Sequence, residues 1–161
     1  MDIRVANNPT TLDAARALVR AHLELHSVEP AGIQRVVDAL PSPYVPPTGE
    51  LWVAYEDDDP LGCAAFQTIA PETAELKRVF VRPEARRRGV ARALMVHAIE
   101  TIRERGYTRV RLGTQETAIG AQRLYEGLGF VRIEPYRKAD FGTVWFYELR
   151  VLDAAPPRPP T

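Results

Sequence analysis

Apolar and polar positions recur along this chain with two periods. Ile3 to Val5 reads as a short strand, and Asn8-Pro9-Thr10-Thr11 breaks it and offers Thr10 or Thr11 as a helix cap. From Leu12 the apolar residues fall at Leu12, Ala15, Leu18, Val19 and Leu23, with His22 on the same stripe, which predicts an amphipathic helix. A second short helix is predicted over Ile33 to Leu40, and Pro41, Pro43, Pro46 and Pro47 forbid regular helix after it. Strands follow over Glu50 to Tyr55, Leu61 to Ile69 and Thr73 to Val81. The acidic run Glu56-Asp57-Asp58-Asp59-Pro60 is read as a solvated hairpin tip and not a metal site.

The clearest helix is Val90 to Arg105, with Val90, Leu94, Ala98 and Ile102 on one face and Gly106 as its stop. Arg109 to Thr114 is a strand in which Val110 and Leu112 alternate with polar positions. Ile119 to Leu128 is a helix closed by Gly129, and Phe130 to Ile133 and Val144 to Val151 are the last strands. The order β-α-α-β-β-β-α-β-α-β-β predicts an α/β (α+β) fold, a mixed sheet with helices on its faces. The segment from Asp153 to Thr161, with Pro156, Pro157, Pro159 and Pro160, is expected to be a disordered or polyproline-like tail behind one domain over residues 1–152.

Composition narrows the function classes. Lys+Arg and Asp+Glu are both 21, so formal net charge is zero, and neither a nucleic-acid coat nor a polybasic membrane binder is expected. No apolar run is long enough to cross a bilayer, and the N-terminus lacks the basic-then-apolar order of a secretory signal. One cysteine, Cys63, sits in an apolar run and reads as a small buried hydrophobe; it fits a cytoplasmic location. His22 and His26 lie one helical turn apart, but no third ligand accompanies them, so no metal is expected. His97, on the long helix, is assigned a solvent-side place.

Chemistry concentrates where the Thr73–Val81 strand gives way to the long helix. There the chain reads Val79-Phe80-Val81-Arg82-Pro83-Glu84-Ala85-Arg86-Arg87-Arg88-Gly89-Val90-Ala91. Gly89 and Ala91 let a ligand approach the backbone, and the unpaired N–H groups of a first helical turn favour an anion. Arg78, Arg82, Arg86, Arg87, Arg88 and Arg92 crowd one segment of a neutral protein, which points to a phosphate-bearing ligand. The segment is neither a Walker A loop nor a Gly-x-Gly-x-x-Gly turn.

This Arg-x-x-Gly-x-Ala segment resembles motif A of the GCN5-related N-acetyltransferase (GNAT) superfamily. A second segment, Ala121-Gln122-Arg123-Leu124-Tyr125-Glu126-Gly127-Leu128-Gly129-Phe130, resembles the family's motif B, Ala-x-x-Leu-Tyr followed by Gly-Phe. The motifs stand in the family's order, and the resemblance spans about residues 1 to 151. It implies the acyl-CoA N-acyltransferase fold, a mixed central sheet of about seven strands flanked by about four helices. One departure stands out: Ala118 occupies a position where many relatives carry an asparagine that helps hold the cofactor.

The resemblance implies acetyl-CoA as cosubstrate and acetyl transfer to a primary amine of a small molecule or peptide, by direct attack in a ternary complex. It places the pyrophosphate on Arg86, Arg87, Arg88, Gly89, Val90, Ala91 and Arg92, and the pantetheine arm along Val79, Phe80 and Val81. Such main-chain pairing needs the sheet to splay between this strand and Arg109–Thr114, and a bulge near Val79 is one way to open it. Tyr125 matches the tyrosine that protonates the leaving thiolate, and Glu75 stands where some relatives place a catalytic glutamate. Period-2 geometry puts Glu75, Lys77, Val79 and Val81 on one face, and the other role open to Glu75 is an ion pair with Lys77 or Arg78. The acceptor would be shaped by the first helices and the 41–48 and 135–142 loops. A second function class is a non-catalytic protein of this fold that binds or senses acyl-CoA. Homodimer formation through the last strand stays open.

Overall fold

A computed structural model describes residues 1–151. The expected tail from Asp153 onward lies outside the described residues. The elements run β1 (Asp2–Val5), α1 (Pro9–Leu25), α2 (Pro30–Ala39), β2 (Gly49–Glu56), β3 (Asp59–Ala70), β4 (Thr73–Val81), α3 (Val90–Glu104), β5 (Arg109–Gln115), α4 (Ile119–Gly127), β6 (Val131–Ile133) and β7 (Val144–Arg150). The order is the predicted one, with a short 3-10 turn, Pro83–Ala85, added inside the arginine-rich loop.

The strands form a seven-stranded sheet in the order β1-β2-β3-β4-β5-β7-β6. It is mixed: β1–β2, β2–β3, β5–β7 and β6–β7 are antiparallel, while β4 pairs with β5 in parallel. That parallel register covers Thr73↔Arg109, Ala74↔Val110 and Glu75↔Arg111. The chain divides into two compact units, Met1–Gln67 with Leu76–Ala98, and Thr68–Glu75 with the chain from Ile99 onward. Strands β3 and β4 and helix α3 therefore each contribute residues to both.

In the first unit, Ala15, Leu18, Val19 and Leu23 bury the apolar stripe of α1. Trp52 of β2 is fully buried and stacks on Phe66 of β3, with ring centroids 5.8 Å apart. His97 does not face solvent as expected; it is half-buried and meets Trp52 edge-on at 5.6 Å. The cap of α1 also differs. Asn8 is the N-cap and accepts from the Thr11 backbone N–H at 3.0 Å, while Thr11 Oγ1 accepts from the Asn8 N–H at 3.2 Å. Pro9 at the first helical position fixes the cap upstream of the threonines, and Thr11 closes the box from inside the helix.

In the second unit, Val110 and Leu112 of β5 and Phe146 and Tyr147 of β7 are buried. Leu112 faces Tyr147 across the ladder, and the neighbouring pair Arg111–Glu148 closes an ion pair at 2.9 Å. Gly106 and Gly129 end α3 and α4 with φ of +90° and +100°, as the sequence predicts.

Candidate active site

The first unit holds every residue expected to bind the cofactor and neither of the catalytic pair. Within it, β3 and β4 approach closely at Gly62, where an added Cβ would sit 2.6 Å from the Phe80 carbonyl oxygen. On the same side the Arg82 N–H donates to the Leu61 carbonyl at 2.9 Å, and the Cys63 thiol donates to the Arg78 carbonyl at 3.2 Å. Main-chain groups alternate in direction along a strand, so residues 78, 80 and 82 address β3 while Val79 and Val81 turn theirs away from it. Burial pushes the Cys63 thiol up to about 12, so it stays a protonated packing group, as read from sequence.

Arg78 has φ of +59° in mid-strand, a left-handed conformation rare for a residue with a long side chain. It falls one residue before Val79, where a bulge would help to open the sheet. It interrupts the alternation that would have aligned Glu75 with Val79 and Val81. Phe80 is buried, with the His22 ring at 5.5 Å. His22 is driven down to about 4, first by burial and then by the positive charge of His26, Arg78 and Lys77. Among the described residues no cluster of three metal-binding side chains occurs.

After β4 the chain makes the 3-10 turn, and Arg86, Arg87, Arg88 and Gly89 are exposed before α3 begins at Val90. Arg87 and Gly89 both take left-handed backbone, with φ of +65° and +76°. Nothing lies within 4 Å of a Cβ built on Gly89. The first turn of α3 thus opens on unobstructed space flanked by cations. Some of these cations meet carboxylates: Arg88 Nη1 meets Glu56 at 2.9 Å, and Arg82 Nη1 lies 3.8 Å from Asp59. Arg86 Nε reaches the Val81 carbonyl at 3.4 Å.

The second unit holds both catalytic candidates. Tyr125 lies on α4, buried, with Phe130 at 6.0 Å and Tyr147 at 6.3 Å between centroids. Burial raises its phenol to about 12, so at neutral pH it is a proton donor. Ala118 is the N-cap of α4 and supplies no side-chain bond. The turn before the helix is held instead by Gln122, whose Nε2 donates to the carbonyls of Gln115 at 3.1 Å and Glu116 at 2.9 Å.

Glu75 has 1% of its side chain exposed. Its Oε2 accepts from the Tyr136 hydroxyl at 2.6 Å and from Arg137 Nε at 2.7 Å. Arg137 also donates to the Lys138 carbonyl at 2.8 Å and packs over Phe146 at 5.3 Å. Burial and the bond to Glu75 raise the Tyr136 phenol far above its ordinary value. Sequence reasoning did not find Tyr136 and Arg137. The available signal was the demand of a buried carboxylate for donors, met here by adjacent tyrosine and arginine in the 135–142 loop.

The family model described as the acetyltransferase (GNAT) family matches residues 16–130. An uncharacterized N-acetyltransferase of Schizosaccharomyces pombe is 33% identical over 156 residues, covering 94% of this chain and 95% of that one. The chain spans 60% of the length of an uncharacterized N-acetyltransferase of Bacillus subtilis, YsnE, at 37% identity. Among solved structures, an acetyltransferase from Streptococcus agalactiae superposes with a TM-score of 0.76 at 24% identity, covering 92% of this chain and 97% of its own. An aminoglycoside 6'-N-acetyltransferase complexed with coenzyme A gives a TM-score of 0.73 at 17% identity, covering 99% and 100%. At such identities the likeness is one of fold, and the seven-stranded mixed sheet with four helices is the fold of these acetyltransferases.

Proposed function

The chain belongs to the acetyltransferase (GNAT) family, and from that premise we propose that residues 1–152 form one N-acetyltransferase domain. It transfers the acetyl group of acetyl-CoA to a primary amine of a small molecule or peptide. The observation that carries this reading is the opening of α3, where left-handed Arg87 and Gly89 leave clear space over the first helical turn. An anionic pyrophosphate fits such a place, because the first-turn N–H groups lack helical acceptors and the dipole favours negative charge. Arg86, Arg87, Arg88 and Arg92 add charge at the rim. The outward main-chain groups of Val79 and Val81 suit an arm laid along β4 as an added strand.

The cosubstrate supplies an activated acetyl thioester; the chain supplies orientation and protons. As the amine nitrogen bonds to the carbonyl carbon and the carbon–sulfur bond breaks, Tyr125 gives its proton to the sulfur; the proton that the nitrogen sheds passes to solvent, from which the Tyr125 phenolate is reprotonated. A phenol held near 12 stays protonated until that moment. Glu75 is the amine-side candidate. Its Oε2 already accepts two donors, which favours a carboxylate that orders Tyr136 and Arg137 over one that removes the amine proton itself.

The test has two readouts on the full chain. Calorimetric titration with acetyl-CoA should give saturable binding, and a thiol-release assay with a panel of amines should give turnover. Binding with no turnover on any amine would favour the non-catalytic acyl-CoA-binding reading; no binding would remove both.

A further inference from the structure

The first unit contains a cavity of about 340 Å³ between α2, the segment after it, and β4. That is within the size range of small-molecule sites. Its lining includes Arg35, Lys77 and Arg78, with Ser42, Tyr44 and Gln67 as neutral polar groups, and no Asp or Glu. In a chain with zero net charge, three cations around one concavity make a local positive field. The acidic neighbour of Arg35, Glu29, lies at 4.0 Å, and both side chains are over 70% exposed, at 72% and 75%, where such a pair is worth little.

Arg78 is built into this wall. Its Nε donates to the Tyr44 hydroxyl at 3.0 Å, and Tyr44 is itself buried with 3% exposed. Tyr44 is in turn fixed by its backbone N–H, which donates to the Pro41 carbonyl at 2.7 Å. The bond at Nε orients the guanidinium and leaves its terminal nitrogens as a planar fork, the geometry that matches a carboxylate or phosphate. The backbone of Arg78 holds φ of +59°, a costly conformation for arginine, which accords with a residue kept for its side chain. Position along β4 adds direction. With the pyrophosphate at the loop beyond Val81 and the arm running back over Val81 and Val79, the acetyl end falls toward Arg78 and Lys77.

We propose that this cavity receives an anionic group of the acceptor, so that the preferred substrate is a small primary amine that also carries a carboxylate or a phosphate. The inference rests on the acetyltransferase reading and names the substrate class of that same site. The amine is presented to the acetyl group while the anion is held by Arg78, Arg35 and Lys77. The anion also offsets positive charge that would otherwise repel an ammonium group on its way in.

The experiment uses matched acceptors with the full chain and saturating acetyl-CoA: an α-amino acid against its amide, and phosphoethanolamine against ethanolamine. The anionic member of at least one pair should show a kcat/KM higher by about tenfold or more, an advantage that shrinks as salt is raised. Preference in the first pair identifies a carboxylate, and in the second a phosphate. Arg35→Ala, on the exposed face of α2, should raise KM for the anionic acceptor by roughly fivefold and narrow the gap between anionic and neutral acceptors. Arg78→Gly, which suits the left-handed backbone, should abolish the discrimination. Equal use of anionic and neutral acceptors, or discrimination that survives both substitutions, overturns the proposal. If no amine of any kind is acetylated, the acetyltransferase reading is what fails. The cavity is then judged by titrating glycine and inorganic phosphate into wild type and Arg78→Gly: binding lost in the variant upholds the anion site, and no binding to wild type overturns it.

Discussion

The two halves of β4 treat charge in opposite ways. At Glu75, in the second unit, a carboxylate with 1% exposure is met by a guanidinium and a phenol from the 135–142 loop. Two residues on, in the first unit, Lys77 and Arg78 line a cavity with Arg35, and the positive charge of Lys77 and Arg78 helps hold His22 neutral. Left-handed Arg78 lies on the second side of that boundary. A buried charge matched inside the fold belongs to the stability of the molecule, because removing its partner strands it. Like charge gathered around an open concavity serves a ligand that arrives from outside. The sharpest way to break this distinction is Arg137→Ala. It should cost about 3 kcal/mol of unfolding free energy, at the low end for a buried pair because Arg137 is itself 27% exposed. A chemical denaturation midpoint equal to wild type would show that Glu75 is matched by other groups and that the contrast is overdrawn.

If Glu75 is a matched structural charge, proton transfer in the reaction falls to Tyr125. Tyr125→Phe keeps the ring against Phe130 and Tyr147 and removes only the hydroxyl. The expected loss is about 10²-fold in kcat, or ~2.7 kcal/mol, with acetyl-CoA affinity little changed. Full activity would mean the thiolate leaves unassisted or is protonated by water. Glu75→Gln is the companion measurement. Its pH–rate profile should run parallel to wild type; a defect that vanishes as pH rises would return Glu75 to the role of amine base.

His22 reports on the positive half of the strand. Its folded value of about 4 lies below the ordinary 6.5, so the unfolded chain binds more protons between those values. Stability that is complete above about pH 6.5 is therefore lost as pH falls toward 4, by about 2 kcal/mol after discounting for partial exposure. His26, lowered by burial, adds in the same direction. His22→Leu should flatten this acid limb without abolishing it. In Arg78→Gly the His22 titration, followed by NMR, should move upward because one repelling charge is gone. An unmoved titration would leave burial as its sole cause and weaken the case for a field at the cavity.

What the sequence disclosed and what it withheld divide along the same line. Local patterns carried far: the stripe of Leu18, Val19 and Leu23 predicts α1, and the element order predicts the mixed sheet, because periodicity and turn chemistry act over a few residues. Motif spacing placed Gly89 at the opening of α3 and Tyr125 on α4, where the structure has them. Boundaries were less legible: Asn8 displaces the threonines as cap, since adjacent polar residues compete for one position, and α2 starts at Pro30, before Ile33, the first apolar residue of its stripe. Long-range pairings were not legible. Glu75 and Arg137 are 62 residues apart, and nothing in either segment names the other. Arg78 could not be read as left-handed, since no glycine or asparagine marks the place. The cavity depends on α2, the proline-bearing segment and β4 meeting, which periodicity does not encode.

The smallest expected effect gives the finest test, because it asks whether an arginine outside the cavity also serves a ligand. Arg88 is paired with Glu56 at 2.9 Å, yet the side chains are 46% and 58% exposed. A pair in that setting contributes about 0.2–1 kcal/mol at most, since water screens it and two long side chains must be held in place. Arg88→Gln should therefore shift unfolding free energy by no more than about 0.5 kcal/mol. If the arginine turns to phosphate when acetyl-CoA binds, the same substitution should weaken acetyl-CoA a few-fold at low salt, and the gap should close as ionic strength rises. Pantetheine fragments without the pyrophosphate should bind both proteins alike. Equal weakening of both ligand types would mean that Arg88 acts through the shape of the loop. Unchanged acetyl-CoA affinity would mean that its bond to Glu56 is where its role ends, as Arg137's is proposed to end at Glu75.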